Sequence, residues 1–363
     1  MSFFEIYKGK RVLITGHTGF KGSWLAIWLK ELGAEVYGYA LAPSSNMDNF
    51  VTCDLETEVN HRIGDVRDGE HLKKYFAEVQ PDFAFHLAAQ PLVLASYQDP
   101  VGTFDTNLMG TVNFFEAVRA TSSIKVAVNV TTDKCYDNKE WVWGYRENDP
   151  MGGKDPYSAS KGCSELITSS YLESFFKQSG TCNIASARAG NVIGGGDWAP
   201  DRIIPDYFRA YQKGQKLEIR NPYATRPWQH VLEPLSGYLN LGAELFLKGK
   251  EFSGGWNFGP EDMSNYSVKD LIDEILLLDS TAGYVIPENT VKLHEAVLLK
   301  LDISKAASSL KWKPVLGFKE TVAFTLEGYL ADIEDNISVY IKRRKQIEEY
   351  TKIGQEKGIN WAV

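Results

Sequence analysis

Short apolar segments alternate with amphipathic segments through the first half of the chain. The apolar segments that predict strands are 11–15, 35–40, 82–87, 125–131 and 183–188. The amphipathic segments that predict helices are 22–32, 69–79, 101–121 and 157–176. This alternation predicts an α/β fold with a Rossmann-type doubly wound parallel sheet. Because segment 125–131 is apolar almost throughout, we expect it to be buried on both faces of that sheet.

The pattern changes after about residue 190, where glycine and proline begin to interrupt short segments. Helical patterns return at 204–213, 234–248, 268–278, 302–310 and 318–334. We therefore predict a sheet domain over 1–190, with part of 225–260 returning to the sheet, and a smaller mixed α/β lobe over 191–335. Residues 336–363 form a charged tail, for which we predict a helix exposed to solvent.

Charge and composition exclude several classes of protein. The formal net charge is −8 and the basic residues form no stripe, so we expect no nucleic-acid partner. No apolar stretch approaches ~18 residues and no signal peptide precedes the first strand, which predicts no membrane association. The four cysteines have no CxxC spacing and the histidines form no metal-binding pair, so we expect reduced thiols, no metal and a cytoplasmic location.

A glycine-rich loop joins the first predicted strand to the first long helix. In ITGHTGFKG, Gly16 allows a tight turn, Gly19 lets a backbone approach a pyrophosphate, and Gly22 allows close packing of helix on strand. The helix that starts near Gly19 directs free N–H groups at phosphate oxygens. We therefore predict a dinucleotide site in this loop. Its residues are Gly16, His17, Thr18, Gly19, Phe20, Lys21 and Gly22.

His17 and Lys21 lie between these glycines and allow two interpretations. Their side chains either point to solvent, so that only their backbone N–H groups matter, or face the phosphates. In the second case Lys21 adds a positive charge, whereas His17 crowds the cofactor and weakens its binding.

The carboxylate that usually binds the adenosine ribose of NAD is missing from the end of the second strand. Segment 38–45 contains neither an acidic residue nor the arginine that would bind the phosphate of NADP. NAD is therefore the predicted cofactor, with Ser44, Ser45 or a backbone group on its ribose. In GDVRD, Asp65 suits the adenine amino group, and Asp68 suits a helix N-cap. The other predicted cofactor contacts are Val66, Leu87, Ala88, Ala89 and Asn107, whereas His86 is expected to be a core residue.

Thr132, Tyr157 and Lys161 form the candidate catalytic set. Tyr157 and Lys161 lie one helical turn apart, and Thr132 ends the preceding strand. Such a set performs acid–base chemistry on an alcohol or ketone. Lowering a tyrosine pKa from 10 to near 7 takes ~4 kcal/mol, which Lys161 and a positive nicotinamide can supply together.

These motifs, in this order, resemble the extended short-chain dehydrogenase/reductase superfamily over roughly residues 8–330. Within it, the blocks GHTGFKGSWL, TTDKCYDN, ARAGNVIGGGDWAPDRIIPD and RPWQHVLEPLSGYL are similar to the CDP-glucose 4,6-dehydratase family. The resemblance implies bound NAD, the substrate CDP-D-glucose and the product CDP-4-keto-6-deoxy-D-glucose. It also implies a place in the synthesis of dideoxysugars for bacterial surface polysaccharide, such as the O-antigen of lipopolysaccharide.

The resemblance implies roles for the two residues after Thr132. Related dehydratases have Asp-Glu there, as the acid that protonates the leaving hydroxyl and the base that takes the C5 proton. Asp133 matches the acid, whereas Lys134 departs from the pattern. A buried lysine can lose its proton and act as the base; alternatively Lys134 only supplies charge, and Tyr136 or Glu140 moves the proton.

The substrate contacts and the assembly are also predicted. Asn191 and Gln90 are expected at the sugar nucleotide, and Arg202 and Arg226 suit its diphosphate. Trp198, Trp228 and Tyr266 are alternatives for packing against the cytosine. Apolar residues on several faces of 101–121 and 157–176 predict, through the resemblance, a homodimer or a homotetramer.

Three other functions use parts of the same residue set. A nucleotide-sugar 4-epimerase shares the loop and the Tyr–Lys pair but has no use for an elimination pair such as Asp133 and Lys134. A dehydratase acting on another glucose nucleotide would use the same reaction, and the choice of CDP-glucose follows from the resemblance alone. A cofactor-sensing binding protein would share the fold without turnover.

Overall fold

The computed structural model describes residues 3–219, 221–261, 266–287, 298–333 and 338–362. The strands, numbered in chain order, are β1 (Arg11–Thr15), β2 (Glu35–Ala40), β3 (Asn60–Ile63), β4 (Phe83–His86), β5 (Val126–Thr131), β6 (Asn183–Arg188), β7 (Val192–Ile193), β8 (Lys216–Glu218), β9 (Thr225–Arg226), β10 (Gln229–His230), β11 (Gly254–Asn257), β12 (Tyr266–Ser267) and β13 (Gly283–Val285).

Seven of these strands form one parallel sheet, in the order β11-β6-β5-β4-β1-β2-β3. The order confirms the predicted Rossmann-type doubly wound sheet. The direction of winding reverses between β1 and β4, and ligands of such sheets bind at the carboxyl ends of the strands at this reversal. The part of 225–260 that was expected to return to the sheet corresponds to β11.

The helices are as follows: α1 (Phe3–Ile6), α2 (Phe20–Glu31), α3 (Asn49–Thr52), α4 (Leu55–Glu58), α5 (Gly69–Val79), α6 (Val93–Gln98), α7 (Pro100–Phe104), α8 (Gly110–Arg119), α9 (Pro156–Tyr171), α10 (Lys177–Ser179), α11 (Ile203–Gln212), α12 (Leu232–Lys248), α13 (Val268–Leu278), α14 (Phe318–Ile333) and α15 (Val339–Glu356). The predicted helix 101–121 is therefore three segments, because a π-helical turn, Asp105–Met109, separates α7 from α8. No helix among the described residues combines the length and apolarity needed to cross a membrane.

Hydrophobic cores lie on both faces of the sheet. One face is covered by α2 and α12, whose apolar residues share a core with β1, β5 and β6. The other face is covered by α5 and α8. Every residue of β4 and β5 is buried. For β5 this agrees with the prediction from segment 125–131, of which only Lys125, before the strand begins, is exposed. Burial on both faces is what makes the sheet a rigid base for the loops at its edge.

A separate core joins the later helices. Ile204 and Phe208 of α11, Leu271 of α13 and Tyr329 of α14 are buried together in it. The division into a sheet domain and a smaller lobe stays a prediction, and its predicted boundary at 335–336 lies outside the described residues.

The expectation that the C-terminal tail is exposed is wrong for one face of its helix. Arg343 and Tyr350 of α15 are 0% exposed. Arg343 forms a buried ion pair with Asp332 of α14, and its Nε donates to Asn49 Oδ1 at 2.9 Å. The charged sequence of the tail concealed this contact, because an arginine that is paired inside a protein looks the same in sequence as one in solvent.

Candidate active site

The loops that follow β1, β4, β5 and β6 carry many of the predicted site residues, and α9 carries Tyr157 and Lys161. Leu87, after β4, donates its backbone N–H to Thr15 at the end of β1, at 3.0 Å. The ends of these strands are thereby held against each other at the reversal of the sheet, where a ligand is expected.

The three glycines of the first loop differ in whether the fold itself has room for a side chain at their positions. A Cβ at Gly16 would lie 2.6 Å from the Ala88 nitrogen, and one at Gly22 would lie 2.1 Å from the Gly16 oxygen. Gly16 also has φ +79°, which favours glycine. A Cβ at Gly19 would meet only the Gly16 oxygen, at 3.4 Å, which is an ordinary contact. Glycine at position 19 therefore leaves space that the described part of the chain does not fill.

The first turn of α2 faces that space. Gly19 is the N-cap of α2, and no side chain caps the helix there. The N–H groups of Phe20, Lys21 and Gly22 and the positive end of the helix dipole are thus available to an anion. Phosphate groups bind in this environment, so these residues fit the pyrophosphate of a dinucleotide.

The side chain of His17 takes neither of the two expected positions, while a contact through its backbone N–H stays a prediction. Its side chain is 0% exposed, whereas a side chain lining a cradle or reaching solvent would be accessible. Its Nε2 lies 2.6 Å from Nδ1 of His61, and a Cβ at Gly38 would lie 2.3 Å from its ring. Burial and, to a lesser extent, His61 lower the pKa of His17 to about 3, so it is neutral at pH 7. His17 therefore packs against β2 and β3.

Lys21 also does not point to solvent. It is half-buried, and its Nζ lies 5.8 Å from the centre of the Tyr238 ring. Burial lowers its pKa to about 7, and neighbouring charges modify that value. Those neighbours are Lys161, Arg202, Asp133 and Asp197. The ammonium of Lys21 is therefore directed toward the catalytic residues.

The region beyond β2 offers few free groups to a ribose. The hydroxyls of Ser44 and Ser45 donate to the carboxylate of Asp48, at 2.9 and 2.8 Å. The carboxylate of Asp65 accepts from Arg67, which lowers the pKa of Asp65. The prediction for Asp68 is confirmed, because its Oδ1 accepts from the His71 N–H at the start of α5.

Asn107 fixes the loop after β4. Its Nδ2 donates to the Gln90 carbonyl at 3.0 Å and to Ser160 Oγ at 2.9 Å, and its Oδ1 accepts from the Gln90 N–H at 2.8 Å. The Gln90 side chain is itself bonded to Thr103 and to the backbone of Leu92. Both amides are thus engaged within the chain and hold this loop against α9.

The remaining cofactor candidates lie around the same edge, and His86 lies beneath them. Thr18 Oγ1 donates to the Leu41 carbonyl at 3.0 Å. Val66 is buried against Gly110, while Leu87, Ala88 and Ala89 are half-buried. His86 is 2% exposed, and burial lowers its pKa to about 3, in agreement with the expected core histidine.

Tyr157 and Lys161 lie one turn apart near the start of α9 and are 8% and 6% exposed. Burial raises the pKa of Tyr157 to about 12, while a hydrogen bond with Thr132 acts in the opposite direction. Burial lowers the pKa of Lys161 to about 8, and its Nζ donates to the Val130 carbonyl at 3.3 Å. The three residues of the predicted catalytic set are therefore brought together.

Asp133 lies beside this set and is 2% exposed. Its Oδ1 accepts from Thr132 Oγ1 at 2.9 Å, and its Oδ2 accepts from Asn191 Nδ2 at 3.3 Å. A Cβ at Gly190 would lie 1.9 Å from Oδ2, so glycine before Asn191 leaves room for the carboxylate. The structure thus joins the loops after β5 and β6 at Asp133.

Lys134 is exposed, so the expectation of a buried lysine is wrong. In the short turn Asp133–Cys135, the first and last residues point inward and Lys134 points outward. Its Nζ still lies 6.0 Å from the centre of the Tyr157 ring.

The alternative bases differ in their surroundings. The phenol of Tyr136 is buried, donates to Asn257 Oδ1 at 2.8 Å and accepts from Arg188 Nη1 at 2.5 Å. It is therefore committed to an internal network. Glu140 is half-buried with φ +55°, and its role stays a prediction.

The two predicted diphosphate ligands lie in different surroundings. Arg202 Nη1 donates to Asp197 Oδ2 at 2.6 Å, and the Arg202 charge acts to lower the pKa of Tyr157. Arg226 lies in β9, which pairs with β12, and its Nη1 donates to the Thr225 carbonyl at 2.8 Å. Only Arg202 is therefore placed beside the catalytic tyrosine by these contacts.

The aromatic candidates are engaged in packing. Trp228 Nε1 donates to the Tyr266 carbonyl at 3.2 Å, and the Tyr266 ring stacks on Phe318 with centres 3.6 Å apart. Trp228 and Tyr266 line a cavity of ≈ 520 Å³, which no predicted catalytic residue within the described ranges lines. Trp198 Nε1 donates to Asp332 Oδ2 at 3.3 Å.

Two features of the site were not predicted: Asp197, which holds Arg202, and the buried pair of Glu165 with Arg188. Glu165 follows Lys161 at helical spacing, and this was the available signal. Among the described residues, no group of three histidine, cysteine, aspartate or glutamate side chains is placed to hold a metal ion. All four cysteines are free thiols.

Comparisons with known proteins show the family to which the chain belongs. Residues 13–325 match the family model described as GDP-mannose 4,6 dehydratase. The chain is 50% identical over 353 residues to CDP-glucose 4,6-dehydratase of Salmonella typhimurium. The matched region covers 95% of this chain and 97% of that protein.

Solved structures show the same fold. The epimerase Mth375 from Methanothermobacter thermautotrophicus is 25% identical, with a TM-score of 0.78, over 94% of this chain and 96% of that one. The dTDP-glucose 4,6-dehydratase from Bacillus anthracis, solved in complex with NAD, is 21% identical, with a TM-score of 0.71, over 89% and 97%.

Proposed function

The chain belongs to the GDP-mannose 4,6 dehydratase family, and from this premise we propose that it is an NAD-dependent hydro-lyase that converts CDP-D-glucose to CDP-4-keto-6-deoxy-D-glucose and water. The observation that carries the proposal is 50% identity to a CDP-glucose 4,6-dehydratase along 95% of the chain. The buried carboxylate of Asp133 beside Tyr157 is the chemical feature that a dehydratase needs.

The catalytic set performs the proton transfers at C4. Tyr157, as the phenolate, takes the proton of the hexose 4-hydroxyl, and Thr132 holds the phenol by a hydrogen bond. Because burial raises the pKa of Tyr157, cations have to stabilise the phenolate. Lys161 is one of them, and the nicotinamide ring is the other. Held at the first turn of α2, NAD would supply a reversible hydride acceptor for the transfer between C4 and C6.

The elimination requires a base at C5 and an acid at the 6-hydroxyl. The C4 ketone acidifies the C5 hydrogen, and loss of that proton to the base expels the 6-hydroxyl. After hydride reaches C6, the base returns a proton to C5. Asp133 has to carry a proton at this step, which it gives to the departing oxygen, so that the oxygen leaves as water; Thr132 and Asn191 hold the carboxyl group in place. Lys134 is our proposed C5 base, since its Nζ lies 6.0 Å from the centre of the Tyr157 ring. Bound substrate would cover this exposed lysine.

The ligands are assigned to opposite sides of the catalytic set. The pyrophosphate of NAD binds at the first turn of α2, where Gly19 leaves space. Arg202 holds the substrate diphosphate, because it lies beside Tyr157 and is fixed by Asp197. Asn191 and Gln90 complete the sugar site, while Arg226, Trp228 and Tyr266 are proposed for the nucleotide end.

We further propose a homodimer formed through α6, α7 and α9, with a tetramer as the alternative assembly. Large apolar side chains are exposed along these helices: Tyr97 is 62%, Val101 78% and Leu166 61% exposed. A second copy of the chain would cover them. The free thiols and the nicotinamide cofactor are consistent with a cytoplasmic enzyme.

Substrate and product masses test the function. The holoenzyme is incubated separately with CDP-glucose, dTDP-glucose, UDP-glucose and GDP-mannose, and the products are weighed. We expect CDP-glucose to lose one water with the highest kcat/KM. Faster dehydration of another nucleotide would correct the substrate, and an epimer of unchanged mass would replace the proposed dehydratase by a 4-epimerase.

A further inference from the structure

Glu165 lies two turns after Tyr157 and one turn after Lys161 on the same face of α9, and its carboxylate is buried. Its Oε1 accepts from Thr131 Oγ1 at the end of β5. Its Oε2 accepts from two residues of β6, Ser186 Oγ at 2.6 Å and Arg188 Nη2 at 2.7 Å. One carboxylate therefore binds α9, β5 and β6 together.

These three elements carry the reacting groups. Thr131 directly precedes Thr132 and Asp133, and β6 ends at Arg188, shortly before Asn191. The Asn191 side chain in turn donates to Asp133. A change at residue 165 would thus alter the position of the acid relative to Tyr157.

We propose that Glu165 is a positioning residue for this reaction, which fixes Tyr157 and Asp133 relative to each other and supports the positive charge of Lys161. The inference rests on the proposed function, since it assumes that these residues react together. Glu165 touches neither substrate nor cofactor in this proposal and acts only through its neighbours.

The charge of Glu165 is maintained by its partners. Burial acts to raise its pKa, but Arg188 and the two hydroxyls outweigh burial and lower the pKa. The Arg188–Glu165 pair is 5% and 3% exposed. Arg188 Nη1 also donates to the Tyr136 phenol, next to the catalytic turn. A buried ion pair adds little to stability compared with a pair of apolar side chains. Stability alone therefore does not explain why Glu165 and Arg188 are charged, and we look for a function of the pair.

Glu165 is the nearby carboxylate that opposes the loss of the Lys161 proton. Burial lowers the pKa of Lys161, and Glu165 raises it, with a smaller contribution from Cys135 after β5. The other groups that face Lys161 are Lys21 of α2 and His86 of β4. The charges that act on Tyr157 are Asp133, Asp155 and Arg202. Without the Glu165 charge, Lys161 loses its proton at lower pH and no longer stabilises the phenolate.

Two substitutions separate charge from geometry. Glu165→Gln removes the charge and retains the length, whereas Glu165→Asp retains the charge and shortens the side chain. For Glu165→Gln we expect the ascending limb of the pH profile of kcat/KM to move up by ~0.5–1 unit. For Glu165→Asp we expect that limb to stay in place while kcat falls ~10-fold at unchanged KM. A merely structural role would lower the folded fraction and leave both profiles unchanged.

A second variant and a second measurement keep the test decisive. Glu165→Gln combined with Arg188→Met removes the unpaired guanidinium that could unfold the single variant. The phenol of Tyr157 is also titrated by tyrosinate absorbance in the NAD-bound enzyme without sugar. Because the chain has 18 tyrosines, the spectrum of the Tyr157→Phe variant is subtracted.

The outcomes distinguish this inference from the proposed function. A higher Tyr157 pKa in the double variant supports the inference even if CDP-glucose is not the substrate. If the wild type dehydrates CDP-glucose but the pH limb and the Tyr157 titration of the double variant coincide with those of the wild type, the inference is overturned and the function stands.

Discussion

Gly22 packs so closely beneath Gly16 that a Cβ on Gly22 would lie 2.1 Å from the Gly16 carbonyl oxygen. The same addition at Gly19 would make one contact at 3.4 Å. The motif therefore contains two kinds of glycine, because position 22 serves the packing of α2 on the loop and position 19 serves an approaching ligand.

Alanine substitutions should separate these two roles. Gly22→Ala should lower the free energy of unfolding of the ligand-free protein by ~1–3 kcal/mol, because the methyl group overlaps backbone. Gly19→Ala should change that free energy by less than ~0.5 kcal/mol and weaken NAD binding at least ~10-fold, since its methyl group would occupy the phosphate space. Urea unfolding and isothermal titration with NAD measure the two effects. Equal NAD affinity in Gly19→Ala and wild type would contradict the assignment of the pyrophosphate to this position.

The phenol of Tyr157 should be essential, whereas a nearby phenol should not. Tyr157→Phe should lower kcat/KM by ~10²–10⁴-fold, because the base for the 4-hydroxyl is lost. The matched control is Tyr238→Phe. Tyr238 is fully buried, and the charge of Tyr157 contributes to raising its pKa. Its hydroxyl has no hydrogen-bond partner among the described residues. Steady-state rates should show near wild-type turnover in the control, and an equal loss in both variants would contradict the assignment.

Substitution of Lys134 should slow the elimination without slowing the oxidation at C4. In Lys134→Met, a single turnover should still form reduced cofactor, visible by absorbance, while loss of water slows by ~10²-fold or more. Lys139→Met is the control, since Lys139 is exposed nearby and paired with Asp137. Water loss at the wild-type rate in Lys134→Met would transfer the role of base to another group, with Glu140 as the next residue to substitute.

Two adjacent arginines of α15 should differ sharply in their effect on stability. The Arg343 side chain is buried with Asp332, whereas that of Arg344 is 41% exposed and paired with Glu31. Arg343→Ala should lower the free energy of unfolding by ~3–5 kcal/mol, because Asp332 is left buried without its partner. Arg344→Ala should cost at most ~1 kcal/mol. Similar urea midpoints for the two variants would mean that the tail contributes little to the fold.

Local patterns sufficed to predict much of the fold. The bounds predicted for β1, β2, α5, β6 and α13 are those of the structure. In these segments the apolar period and the turn residues at the ends are encoded within a few residues. The helix 101–121 was predicted without its π-helical turn, since the side-chain bonds of Asn107 involve residues distant in sequence.

The sequence predicted which residues form the site better than it predicted the contacts among them. The order of Thr132, Tyr157 and Lys161 along an α/β chain implies their meeting, because parallel strands end at one edge. The burial of His17 depends on Gly38 and on His61, 44 residues away, and no local pattern marks such a pair. The outward direction of Lys134 depends on a three-residue turn whose geometry the sequence does not specify.

The central claim is that Tyr157 and Asp133 serve one reaction in which hydrogen leaves C4 and reappears at C6 of the same sugar. The most direct test supplies the holoenzyme with CDP-glucose deuterated at C4 and examines the product by mass spectrometry and NMR. The account predicts a product lighter by one water with the deuterium at C6. Deuterium retained at C4 of a sugar of unchanged mass would contradict it.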